Sequence, residues 1–106
     1  MNETITIFCT CPDEETAGRL AEGLVEARHA ACVNILPGVR SVYRWEDRVE
    51  RAREALMIIK TTSTHFFVIE RWMAEHHPYD VPELVAVRAE HVSEPYLAWL
   101  RQSVSV

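Results

Sequence analysis

Chemistry in this chain of 106 residues concentrates in a few short stretches. The densest is His76-His77-Pro78-Tyr79, followed by Asp80, Pro82 and Glu83. Imidazole is the commonest protein metal ligand, and adjacent histidines at a helix end can present their rings to one ion. The same pair suits a helix C-terminus with no ligand, where a protonated imidazole meets the negative end of the dipole. Cys9-Thr10-Cys11 is a C-x-C, not the C-x-x-C of redox and soft-metal domains. Cys9 continues an alternating apolar face with Ile5 and Ile7, which marks it as a small core hydrophobe. Cys11 precedes an expected helix N-terminus, where a thiolate is stabilised, and is the better candidate for a reactive thiol. Cys32, between Ala31 and Val33, reads as core. Glu54 and Lys60 lie on one expected strand at even spacing, so both face the same side. Lys60 is the only lysine beside ten arginines. It stands either as an anchor for an anion or as a strand-end charge reaching solvent.

Several function classes are excluded early. No phosphate-binding loop, dinucleotide fingerprint or nucleophile elbow is present, so an enzyme is not expected. No four-ligand zinc pattern exists. The net charge of −5 argues against a broad nucleic-acid grip, which needs a basic face. Apolar runs fall far short of the roughly 20 residues of a membrane span. The first residues show no basic stretch leading into an apolar one, so no secretion signal is visible. Three cysteines, an odd count, suit free thiols in a reducing compartment. The expectation is one cytoplasmic domain over residues 1–106, with no membrane and no nucleic-acid partner.

The elements that must position these residues follow from periodicity. Thr4 to Thr10 alternates and reads as a strand. Pro12 and the acidic Asp13, Glu14 and Glu15 open a helix from Asp13 to Arg28, with Ala17, Leu20, Ala21, Leu24 and Val25 on its apolar stripe. A long strand from Ala31 to Trp45 is interrupted by Pro37-Gly38, the mark of a bulge. Glu46-Asp47 forms a tight turn, and a second long strand returns from Arg48 to Lys60. A second helix spans Thr64 to His76 and is stopped by Pro78. Leu84 to Ala89 is a fourth strand, and Ser93-Glu94-Pro95 starts a last helix. With right-handed crossovers, this order predicts an α+β, ferredoxin-like fold: an antiparallel sheet of four strands with both long helices on one face.

The central hairpin implies an oligomer. At about 3.3 Å per residue, arms of nearly 14 residues reach on the order of 45 Å. A domain of this length has a diameter of roughly 34 Å. The tip, with Val42, Tyr43 and Trp45, therefore overshoots its own domain and invites pairing with other copies in a closed ring.

Taken in order, a set of short motifs resembles the CutA family of divalent-cation tolerance proteins over about residues 4 to 103. They are Phe8-Cys9-Thr10 before Pro12-Asp13, Ala30-Ala31-Cys32-Val33-Asn34, Tyr43-Arg44-Trp45-Glu46, Glu54 to Ile59 with Lys60-Thr61, His77-Pro78-Tyr79 with Pro82-Glu83, and Tyr96-Leu97-Ala98-Trp99. The resemblance implies a homotrimer built through long hairpins. It also implies binding of copper(II) or another divalent cation, not required for folding, at His76, His77, Cys9 and Cys32. The function it implies is metal-ion tolerance without substrate turnover. The trimer is also similar to PII signalling proteins, which hold small effectors between subunits. That alternative places a small anionic effector near Lys60 and Glu54, in a cleft that includes Tyr43, Trp45, Tyr79 and Glu83. Many family members carry Gly after Trp-Glu in the hairpin tip, where this chain has Asp47.

Overall fold

The computed structural model describes residues 2–105. Strand β1 (Thr4–Cys11) alternates half-buried and buried positions along its whole length. It runs one residue past the expected end because Cys11 continues the buried row of Ile5, Ile7 and Cys9. Helix α1 (Glu14–Glu26) is capped by Asp13, whose carboxylate accepts from the Thr16 N–H at 2.7 Å. It stops short of Arg28, which takes a left-handed conformation (φ 63°) and donates from its guanidinium to the carbonyls of Gln102 and Val104.

Strands β2 (Cys32–Trp45) and β3 (Arg48–Thr62) form the long hairpin. Their register holds from Trp45 opposite Arg48 and shifts between Leu36 and Val39, at the Pro37-Gly38 bulge. Gly38 has φ 69° there, a conformation that glycine adopts without steric cost. At the tip, Glu46 (φ 51°) and Asp47 (φ 65°) are both left-handed, which defines a type I′ turn. A short 3-10 turn, Ser63–His65, leads into α2 (Phe66–His76). Strand β4 (Val85–Arg88) and helix α3 (Glu94–Ser103) complete the chain.

The sheet order is β2-β3-β1-β4, antiparallel at every pairing. The core lies between one face of the sheet and helices α1 and α2, where Ile7, Met57 and Ile59 meet Leu20, Leu24, Ile69 and Met73. The indole of Trp72 occupies the place a side chain at Gly23 would take, its nearest carbon 2.7 Å from that position. This close approach accounts for a glycine inside α1. The opposite sheet face carries Phe8, Leu56 and Ile58, half-buried, and Val85 and Val87, exposed. Helix α3 sits near one end of the sheet, where Leu100 and Val104 pack on Ala31. The molecule measures 44 × 26 × 22 Å, and its tip stays in the open, with Val42 64% exposed. The hairpin therefore projects and does not fold back over its own sheet.

Candidate functional site

Two constellations lie on opposite faces of the sheet at the same end of β1. The first is a cluster under the helices. Cys9 and Cys11 are two residues apart on a strand, so both point to the helix face. Pro78 ends α2 and leaves His77 extended (ψ 138°), which turns its ring back over β1. The ligand atoms of Cys9, Cys11 and His77 all lie within 4.8 Å of one another, and all three residues are buried. The Cys11 Sγ is 3.8 Å from His77 Nε2 and 3.2 Å from the Met57 sulfur.

Hydrogen bonds settle the protons. The Tyr79 N–H donates to His77 Nδ1 at 3.1 Å, so the neutral ring carries its proton on Nε2. Nε2 then donates to the Thr10 carbonyl at 2.9 Å. A hydrogen bond from Cys9, aided by His77, outweighs burial and pulls the Cys11 thiol down to about 6. The same bond, with burial, pushes Cys9 far up, so Cys9 keeps its proton. Burial disfavours a charged His77, but the Cys11 hydrogen bond and the Thr10 carbonyl outweigh it and raise its pKa. The balance favours the charged form at Cys11 and the protonated form at Cys9.

The second constellation is a cleft of about 590 Å³ on the open face. The hairpin supplies one wall through Tyr43 and Trp45, and the loop after α2 supplies another through Tyr79, Asp80 and Glu83. Glu54 and Thr10 form the floor. The Tyr79 hydroxyl donates to Glu54 at 2.6 Å, and the Thr10 hydroxyl donates to Glu83 at 3.3 Å. Burial, then the Glu54 carboxylate, raises the Tyr79 phenol, so it remains a donor. Thr10 joins the two sites, its carbonyl on His77 and its hydroxyl on Glu83.

The chain matches the family described as "CutA1 divalent ion tolerance protein" across residues 5–103. The chain belongs to the CutA1 family. Curated relatives called "Divalent-cation tolerance protein CutA" include one from Pectobacterium atrosepticum, 41% identical over 96% of this chain and 93% of that protein. Another, from Citrobacter koseri, is 40% identical over 96% of this chain and 89% of that protein. Among solved structures, the CutA1 of Thermus thermophilus superposes with a TM-score of 0.93 at 41% identity, covering 96% of this chain and 99% of that one. CutA1 from Oryza sativa gives 0.94 at 38% identity, covering 97% and 94%. These matches support the ferredoxin-like reading of the fold.

The residues singled out by the CutA resemblance separate in space. Cys9 and His77 converge, and Cys11 joins them. Cys32 does not: it pairs with Lys60 at the far end of the hairpin, on the opposite face from Cys9, beside Tyr96. His76 also stands apart. Its Nδ1–H donates to the Trp72 carbonyl at 2.7 Å and its ring stacks on Trp72, exposed to solvent. Of the expected cleft residues, Tyr43, Trp45, Glu54, Tyr79 and Glu83 line one cavity. Lys60 does not, because at the strand rise it lies roughly 20 Å along β3 from Glu54. Without it, the lining holds three carboxylates and no lysine, arginine or histidine. That lining repels an anion, so the small anionic effector does not fit this cleft as one chain forms it. Sequence reasoning missed the pairing of Cys9 with Cys11. Extending the alternation of Ile5, Ile7 and Cys9 by one more step would have found it.

Proposed function

We infer that this chain binds copper or another divalent metal ion at Cys9, Cys11 and His77, as a cytoplasmic tolerance protein that sequesters the ion without chemical turnover. The convergence of the three ligand atoms within 4.8 Å carries this reading. Two sulfurs and an imidazole suit ions on the soft side of the divalent series, zinc and copper before magnesium or calcium. The downward shift of the Cys11 thiol lowers the cost of the first bond. His77 must release its Nε2 proton and the Thr10 carbonyl, and Cys9 must lose its proton, so uptake releases protons. In this reading the ion is cargo and is not required for folding. A ring of three copies belongs to the same reading.

Calorimetric titration with copper(II) and zinc(II) tests it. Wild type should take one ion per chain. Cys11→Ser and His77→Ala should each weaken binding by at least about tenfold, the least that disturbing a metal site costs. His76→Ala should leave it unchanged. Negligible heats for wild type and variants alike would remove the idea. A loss confined to His76→Ala would move the site to the outside of α2.

A further inference from the structure

The cleft on the open face has a composition that the metal reading does not use. Three aromatic side chains, Tyr43, Trp45 and Tyr79, and three carboxylates, Glu54, Asp80 and Glu83, share its lining. Glu54 is only 8% exposed. One of its oxygens accepts from Tyr79, but among the described residues no lysine, arginine or histidine pairs with it. A buried carboxylate without a counter-charge is costly, and a bound cation relieves that cost. Aromatic faces add attraction for the same sign of charge, most strongly where water is excluded.

The shape of the site selects the kind of cation. A bare metal ion needs several ligand atoms within a few ångströms of one point. Among the described residues the only such group of three is the Cys9–Cys11–His77 cluster, and the cleft carboxylates form none. The cavity volume falls within the range of small-molecule pockets. Dispersed negative charge around aromatic walls matches a cation whose charge is itself dispersed over carbon. We propose that the cleft binds a small organic ammonium ion, its nitrogen toward Glu54 and its alkyl groups on Tyr43, Trp45 and Tyr79. The site lies across the sheet from the metal cluster and does not depend on it.

The test is calorimetric titration of the native assembly with tetramethylammonium and with putrescine, against acetate, inorganic phosphate and magnesium. The ammonium ions should bind and the anions should not. Glu54→Gln keeps an acceptor for the Tyr79 hydroxyl but removes the charge, and should weaken binding by about tenfold or more. Trp45→Leu, at an exposed position, should weaken it without loss of fold, checked by circular dichroism. Cys11→Ser should leave ammonium affinity unchanged, which separates failure here from failure of the metal reading. The proposal is overturned if the ammonium ions do not bind, if both cleft variants bind them as wild type does, or if the anions bind instead. It is equally overturned if magnesium competes for Glu54, or if a second copy of the chain places an arginine in the cleft.

Discussion

Cys11 is a core residue by position, and its surroundings favour the thiolate. Burial alone would hold its proton on, yet the Cys9 and His77 hydrogen bonds reverse that preference and bring it to about 6. The unfolded chain has no such donors, so its thiol titrates near the ordinary 9.0. Folding therefore favours the thiolate, and this stabilisation is complete above the unfolded value and lost as pH falls through about 6. Thiolate ultraviolet absorbance of the folded protein should show a transition near pH 6 that disappears in Cys11→Ser. A wild-type profile with no thiolate below pH 8 would sink this description. Metal affinity should fall over the same interval, because protons and the ion compete for one sulfur. Much of this was legible from residue types: the histidine pair and the C-x-C both flagged chemistry. What the residues could not reveal was grouping. His76 and His77 are neighbours in sequence, but Pro78 sends one ring inward and leaves the other on the helix surface. Cys32 looked equivalent to Cys9 until strand register put them on opposite faces.

At the scale of elements, the hairpin does most of the positioning. It carries Glu54 to the cleft floor and Tyr43 and Trp45 to its wall. The bulge at Pro37-Gly38 makes this possible. Before it, even-numbered β2 residues face the open side. After it, Val39 pairs with Glu54 and odd-numbered residues take that side. The Pro-Gly pair announced the bulge, but the change of parity that brings Tyr43 and Trp45 together with Glu54 emerges only from the register. The tip is also strained, since Asp47 holds a left-handed φ of 65°. L-residues pay for that conformation and glycine does not. Asp47→Gly should stabilise the protein by about 1 kcal/mol, read by chemical denaturation at fixed protein concentration. No gain, or a loss, would mean that Asp47 makes compensating contacts in the assembly. Helix limits were less legible than strand limits. The apolar stripe of α1 continues toward Arg28, but a left-handed residue held by carbonyls of the distant C-terminal segment ends the helix.

The whole molecule is unfinished as one chain. A sheet must be covered on its apolar faces, and here two helices cover only one. The other side leaves Val85 52% and Val87 51% exposed beside Phe8, Leu56 and Ile58. Strand β2 also lies at the sheet edge over 14 residues, and the hairpin tip leaves Val42, Tyr43 and Trp45 exposed. All three features would be answered by the proposed ring, in which identical copies lay open faces together and pair hairpins around an axis, because a closed ring leaves no edge behind. With the ring of three that the CutA resemblance implies, light scattering should give about three times the 12.2 kDa chain mass at micromolar concentration. Ile58→Glu puts a charge at the centre of the open face. Burying it unpaired costs several kcal/mol, so the assembly should fall to single chains while the core under the helices persists. The metal cluster lies on the helix face and should keep its ion in that variant. The cleft is walled by the projecting hairpin, and its ammonium affinity should fall as the hairpin loses its neighbours. A wild-type particle of 12.2 kDa would break the link between open face and assembly. An Ile58→Glu particle of unchanged mass would place the contact along the hairpin edge instead.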